Sequence, residues 1–532
     1  MRSFHAPTED ILFSLHHVAR AYEIDDWDYE LTREITEHFG QFAEGVIAPT
    51  DEEGDTVGCK LVDGRVKMPA GLHAAFAQLV EGGWQGLTAP EAYGGQEVGG
   101  AVYAATSEIF TGANHSLQMV TGLVPGTVST LLAFGTEAQK DRYLPVLADG
   151  SWLSTMCLSE PGSGSDLSGI RTKAVESGDA WAITGEKIFI SGGDQDLTPA
   201  TLHLVLARTG EISEGIRGLS LFLCPSETET GRNSVSVTRI EEKMGLHSSP
   251  TCQLAFDNAK AELIGEKGQG LFAMFTMMNH ARLDVALQGV AHAARAADIS
   301  RSYAAERVQG KGKDGQPVTI DQHSDVRRMI DEQDALALGG RAMSHITLVE
   351  LEKGTNPDLV EFLTPICKAF CSDAGTHAAD LSMQVLGGYG YLQEYRAEQN
   401  YRDSRICSIY EGTNGIHGVS LASRLMTYKQ GAAAHAFARF IEGEIAASKA
   451  EHLSDAFEKW CKARQHICNL EDPTHAAHSF LQLTSEVMFQ AAWVRIVSVA
   501  DQAQDPDRIH RLGKVAQRRS HAMTQVWFTL MN

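Results

Sequence analysis

Four stretches of the chain place small, acidic or aromatic side chains where they could do chemistry. Residues 407–418 read CSIYEGTNGIHG, an apolar run with an aromatic, then one carboxylate, Glu411, then turn-forming residues. A carboxylate there reads as a solvated turn residue, the usual fate of glutamate, or as a catalytic group on the lip of a packed segment. Residues 156–174, MCLSEPGSGSDLSGIRTKA, run from an apolar strand-like start into Ser159, Glu160 and Pro161, then Gly162, Ser163, Gly164 and Ser165. Bare backbone N–H groups and short hydroxyls let such a loop approach a phosphate or a flat ring; the same composition suits a flexible surface turn. In GEKIFISGG (185–193), Phe189 and Ser191 fall two apart on one strand face. They could cover a ring and donate to its nitrogen, or be a core phenylalanine and a strand-end serine. In MQVLGGYGYLQEY (383–395), Gly387, Gly388 and Gly390 interrupt a helical pattern, either ending a helix or letting a cofactor lie against backbone.

The elements that must position these residues follow from periodicity. Residues 1–153 read as helical: Ile11, Leu12, Leu15, Val18 and Ala19 fall on one face at 3.6 spacing, and Thr136 with Gln139 has the spacing of a capping box. From 154 to 260 the period becomes two, as in TCQLAFD with Cys252, Leu254 and Phe256 on one face, and Gly, Asp and Asn bound the runs. This predicts a β domain of ordinary size. Helical patterns return over 261–426, and 427–532 form an appended helical segment with 12 basic and 11 acidic side chains. Helical, then β, then helical is an α+β order, not an alternating βαβ one, and no GxGxxG follows a strand.

Composition sets outer bounds. A chain of 532 residues holds roughly three or four domains by length, and 43% apolar residues suffice for a sizeable core. With 68 acidic against 45 basic residues the formal charge is −23, which argues against a general nucleic-acid or anionic-membrane binder. It leaves room for an anionic small molecule held by a few local cations. The nine cysteines are scattered and form no CxxC pair, so reduced thiols in a cytoplasmic protein and no metal site are expected. No signal pattern or transmembrane run is read.

Together, in order, APEAYGG, FGTEAQKDRYLPVLADGSW, MCLSEPGSGSDLSGIRTKA, ITGEKIFISGG, EKMGLHSSPTCQLAFDNA, YAAERVQG, QVLGGYG and RDSRICSIYEGTNG make residues 35–426 resemble the acyl-CoA dehydrogenase family. The early start and the helical tail resemble its longer branch, which includes 3-methylmercaptopropionyl-CoA dehydrogenase. The resemblance implies an N-terminal helical domain (1–153), a middle β domain (154–260), a C-terminal four-helix bundle (261–426) and the appended tail. It implies α,β-dehydrogenation of an acyl-CoA thioester, with Glu411 abstracting the α-proton and N5 of FAD accepting the β-hydride. The apolar flank would raise the base's pKa, the turn would give it reach, and a nearby backbone N–H would hold the thioester oxygen.

By the same resemblance, Met156, Leu158, Ser159 and Ser165 match flavin and pyrophosphate contacts, while Phe189 and Ser191 stand where the family has Trp and Ser or Thr. Arg307 and Gln309 match a contact to a neighbouring subunit's FAD, although Gly310 replaces the family's aromatic. Gln384, Gly387 and Gly388 match adenine-side and cross-subunit contacts, and Thr413 a contact beyond the base; Gly415 stands where a glutamine is frequent. Arg282, Tyr410, Gly412 and again Ser165 are expected at the substrate. The implied partners are an acyl-CoA, an electron-transfer flavoprotein and a second copy or more of the chain, as homodimer or homotetramer. The branch suggests a short acyl group. An acyl-CoA oxidase reducing O₂ and a non-catalytic relative are the competing readings.

Overall fold

A computed structural model describes residues 4–531. The chain divides into two compact units. One, the sheet unit, is Gly45–Gly99 with Asn114–Ala281; the other, the helical unit, is Met1–Glu44, Gly100–Ala113 and Arg282–Asn532.

The sheet unit is built on seven strands: β1 (Trp152–Cys157), β2 (Lys173–Ser177), β3 (Ala180–Ser191), β4 (Ala200–Arg208), β5 (Leu219–Pro225), β6 (Val235–Ile240) and β7 (Thr251–Ile264). Their order is β6-β7-β3-β2-β4-β1, and β5 pairs with both β7 and β4, so the sheet curls back on itself. Only the pairings of β4 with β1 and β2 are parallel. β4 is buried along its whole length and β5 up to Cys224, which is why their sequences are continuous apolar runs rather than alternating ones. β7 alternates as expected, with Cys252, Leu254 and Phe256 inward.

Two local departures from simple periodicity shape this unit. Opposite β7, Lys187 pairs with Leu254 and Ile190 with Cys252, so β3 carries one residue more than its partner there. Phe189 sits in this bulge with φ +59°. Before the sheet, Lys60–Val62 and Arg65–Lys67 form a small hairpin inside the stretch read from sequence as helical. Its turn residues Asp63 and Gly64 are both left-handed, which fits the right-handed twist of a tight hairpin. The capping box of Thr136 and Gln139 is present at the helix Glu137–Ala148.

The helical unit is carried by α1 (Gly270–Glu306, the residues from Arg282 onward lying in this unit), α2 (Ser324–Lys353), α3 (Pro357–Leu386) and α4 (Asn414–Ala422). The tail adds α5 (Ala432–Ser448), α6 (Glu451–Asn469), α7 (Ala477–Ser498) and α8 (Pro506–Leu530). α3 packs against α2, α4, α5 and α7, and α8 packs on α2 and α7. Ile11, Leu12, Leu15, Val18 and Ala19 are all buried, on a first helix that widens into a π turn at Ser14–Val18. Among the described residues no single helix is long and apolar enough to cross a membrane.

Candidate active site

In the helical unit, Glu411 leads a turn in which it and Gly412 are both left-handed, at φ +55° and +89°. Holding a glutamate there costs on the order of 1 kcal/mol, and surrounding donors fix the conformation. The Glu411 carbonyl accepts from Arg282 Nε (3.3 Å) and His417 Nε2 (3.2 Å). The Gly412 carbonyl accepts from Lys368 Nζ (2.8 Å). A side chain at Gly412 would press on His417, since a Cβ would lie 3.1 Å from its Nε2. Thr413 then caps α4, its hydroxyl accepting from the Ile416 N–H (3.2 Å). Three helices thus hold one turn: α1 through Arg282, α3 through Lys368, and α4 through Thr413 and His417.

The electrostatics of this turn are unusual for an acidic residue. Glu411 is half-buried by exposed area, and the protein packed around it pushes its carboxyl up to about 7. Arg282 and Lys368 pull in the opposite direction, and Asp284 adds to the rise. Burial brings Lys368 down to about 8 and His417 down to about 3, so the imidazole is neutral and its N–H donates to the Glu411 carbonyl. Tyr410, half-buried beside the carboxylate, donates to Gln288 of α1. Gln288 in turn donates to Asp284 (3.1 Å). Lys368, Asn414, Asp284, Gln288 and His417 were not singled out from the sequence. Lys368 left one legible signal, a lone cation inside the apolar run PICKAFC.

A cavity elsewhere in the helical unit, about 410 Å³, gathers residues from the end of α1 and the end of α3. Arg307, Gln309, Gly387, Gly388 and Tyr389 line it, and the Arg307 guanidinium lies 5.7 Å from the centre of the Tyr389 ring. α3 ends at Leu386, and Gly387 turns left-handed (φ +61°) with its N–H on the Gln384 carbonyl. Gln384 itself is exposed one turn earlier and does not line this cavity. A Cβ at Gly387 or Gly388 would meet open space.

In the sheet unit, the loop after β1 is built rather than loose. Lys187 is fully buried; its Nζ donates to the Leu158 carbonyl (2.8 Å) and Glu160 Oε1 (2.9 Å). Glu160 also accepts from the Arg171 and Thr172 N–H groups (2.7 and 3.0 Å). The Ser159 carbonyl accepts from the Ile188 N–H (2.9 Å), which ties the loop to β3. Met156, Ser159 and Ser191 are half-buried, Leu158 is buried, and Ser165 is exposed at the loop's far end. Open space faces Gly162 and Gly164. Phe189 is 64% exposed, on a strand whose neighbours Lys187 and Ile190 are buried. Its place in the bulge, not simple alternation, turns it outward.

Each unit by itself carries a feature that suits part of a flavin dinucleotide. An uncovered aromatic beside a pinned, glycine-rich loop offers a ring platform, and the open glycines at the end of α3 beside Arg307 offer room for a phosphorylated group.

Comparison with known proteins matches three sequence profiles in order: acyl-CoA dehydrogenase, N-terminal domain (residues 30–151), middle domain (155–259) and C-terminal domain (268–426). The 3-methylmercaptopropionyl-CoA dehydrogenase of Ruegeria pomeroyi is 37% identical, over 97% of this chain and 94% of that protein. A broad-specificity linear acyl-CoA dehydrogenase of Mycobacterium tuberculosis is 36% identical, over 77% and 72% respectively. Among solved structures, the acyl-CoA dehydrogenase of Bacillus anthracis complexed with FAD superimposes with a TM-score of 0.78 at 22% identity, covering 96% of this chain and 90% of that one.

Proposed function

The chain belongs to the acyl-CoA dehydrogenase family, and from that premise we propose that it dehydrogenates a short acyl-CoA, with Glu411 taking the α-proton. One observation carries the role of Glu411. A carboxyl whose pKa is pushed up to about 7 is held in a turn by donors from three helices, Arg282 of α1, Lys368 of α3 and His417 of α4. At neutral pH such a group is partly ionised and far more basic than a hydrated carboxylate, as a general base needs. Taking the proton leaves Glu411 neutral and negative charge on the thioester, where backbone donors in a water-poor site are most effective.

Bound FAD supplies the acceptor for the hydride that leaves the β-carbon. Its binding to this chain is supported by the B. anthracis relative's bound FAD and by the fit of Phe189, the 158–165 loop and the Arg307 cavity. Met156, Leu158, Ser159, Ser165 and Ser191 would complete the ring and pyrophosphate side. Arg307, Gln309, Gln384, Gly387 and Gly388 would serve the adenine side and a neighbouring subunit, in a homodimer or homotetramer. Arg282, Tyr410 and Gly412, which frame the base, would meet the acyl thioester. An electron-transfer flavoprotein is the proposed acceptor of the electrons; peroxide formed stoichiometrically with product would identify an oxidase instead.

The acyl group is proposed to be short, 3-methylmercaptopropionyl-CoA or a chain of similar length, on the strength of the R. pomeroyi relative. The M. tuberculosis relative acts on linear chains broadly, so an acyl-CoA panel decides. Butanoyl-CoA and 3-methylmercaptopropionyl-CoA should bleach the flavin, under anaerobic conditions, at least about tenfold more efficiently than palmitoyl-CoA. Methylenes that cannot enter a closed pocket forfeit about 0.8 kcal/mol each and clash as well. Palmitoyl-CoA as the best substrate would overturn the short-chain reading alone. The base is tested separately: Glu411→Gln should keep its FAD and be reduced about 10²–10⁴ times more slowly. Stopped-flow reduction at the wild-type rate would remove Glu411 from the mechanism.

A further inference from the structure

We propose that Lys368 is a positioning residue for the Glu411 carboxylate, clamping its turn from inside α3 and supplying the fixed cation against which the base ionises. The inference rests on the reading of Glu411 as the base. A fully buried lysine is costly unless its charge is used. Here both of its hydrogen bonds go to one place. Nζ lies 2.8 Å from the Gly412 carbonyl and 3.0 Å from Asn414 Oδ1, both in the turn that Glu411 begins. Asn414 is itself fixed to the same helix, donating to the Ala369 carbonyl (3.3 Å), Ser372 Oγ (3.1 Å) and Asp373 Oδ1 (2.8 Å). Both hydrogen bonds of the ammonium therefore end on the turn of Glu411 and on the asparagine that ties that turn to α3.

The charged and titratable groups facing this pair are few. α1 brings Arg282 and Asp284, α3 brings Asp373, the segment before the turn brings Cys407 and Tyr410, and α4 brings His417. Burial holds Cys407 up to about 12 and Tyr410 well above its usual range, and His417 is neutral. Arg282 and Lys368 are thus the cations that favour the ionised base, and Asp284 is the anion that opposes it. Arg282 donates to the Glu411 carbonyl (3.3 Å), and Lys368 binds both the backbone of the turn and the asparagine beyond it. Removing Lys368 should loosen the turn and make the carboxyl harder to ionise.

Infrared difference spectroscopy of the FAD-loaded protein tests this without substrate. The protonated carboxyl stretch of Glu411, identified by its absence in Glu411→Gln, is followed against pH. In Lys368→Met its midpoint should move upward by about half a unit or more, because a cation favouring the charged form is gone. The maximal rate of flavin reduction should fall about tenfold or more through misplacement of the base. A purely structural lysine would change stability and FAD content but leave the midpoint where it was. Should Lys368→Met lose its FAD, Lys368→Gln, which keeps a donor for the Gly412 carbonyl, carries the same measurement. An unchanged midpoint in a folded, FAD-loaded variant overturns the role of Lys368. Wild-type reduction by Glu411→Gln would instead overturn the reading of the base and leave the midpoint result standing.

Discussion

A glutamate with a left-handed backbone and a carboxyl poised near neutrality is a group kept in place at a cost. The cost has a sign that experiment can read. The ordinary carboxyl value is 4.5, and the folded value is about 7. Folding therefore binds a proton at Glu411 between these values, and stability falls as pH rises through that window. Glu411→Gln, always neutral, should melt at a higher temperature than wild type at pH 8. The difference should shrink below pH 7 and vanish once the pH falls below 4.5, where Glu411 is protonated in both the folded and the unfolded chain. Calorimetry across that range checks it, and a variant less stable at pH 8 would contradict the assigned shift. The same titration gives the rate its shape. kcat/KM reports the free enzyme, so it should rise with pH through about 7 as the carboxylate ionises and fall again above about 8 as the Lys368 ammonium that clamps its turn loses its proton. A profile flat from pH 6 to 8 would mean that another group limits the reaction.

At the scale of elements, the loop after β1 owes its shape to a buried ion pair, Lys187 with Glu160, on which two more backbone N–H groups converge. Deleting one partner of such a pair strands the other. Lys187→Met should cost about 3–5 kcal/mol and release FAD at lower urea than wild type, seen as recovered flavin fluorescence. Tight FAD in a destabilised variant would show that the loop holds its form without the pair. This pairing also marks what the sequence made legible. The glycine-rich run 162–165 reads from its letters as a flexible turn or a cradle, and its letters alone do not show the side chain of Lys187, 27 positions from Glu160, that pins the loop before it. Local patterns foretold the helix faces, the alternation of β7 and the capping box, because each depends on neighbours within a few residues. The hairpin of Lys60–Lys67 was equally local: its Asp63-Gly64 pair is a strong turn signal, outweighed by the helical texture around it. The turn of Glu411 could be read from YEGT, but its clamp could not. Lys368 lies 44 positions before the carbonyl it binds, and only the packing of α3 on α4 joins them. Phe189 was placed on one strand face with Ser191; a bulge, invisible in two-residue periodicity, sets its direction instead.

At the scale of the whole molecule, the tail lies beyond residue 426, where the match to the family's C-terminal profile ends. Its helices belong to the same compact unit as α2, α3 and α4. The joint is aromatic. Trp460 of α6 is fully buried among Phe437 of α5, Phe480 of α7 and Phe362 of α3, and its indole N–H donates to Thr484 (3.1 Å). Phe370 of α3 meets Phe489 of α7 with ring centres 4.8 Å apart. Gly339 of α2 lets α7 approach closely: a Cβ there would lie 2.2 Å from the Phe489 ring. The last helix returns to the first, with Arg508 on Asp10 in two bonds of 2.8 and 3.0 Å. The tail even touches the scaffold of the base, since Gln482 donates to Asp373 (3.1 Å), which accepts from Asn414. Removing the tail would uncover Phe362 and Phe370 of α3, the helix that carries Lys368. Tail and bundle should therefore unfold as one cooperative body. Trp460→Ala should cost about 3–5 kcal/mol, the usual loss for a large buried aromatic, and the whole helical unit should bear it. In urea, far-ultraviolet circular dichroism and the acyl-CoA-dependent bleaching of FAD should be lost at one shared, lowered midpoint. Two separated transitions, with bleaching surviving the first, would show instead that residues 427–532 fold as an independent attachment and leave the Glu411 turn to the bundle alone.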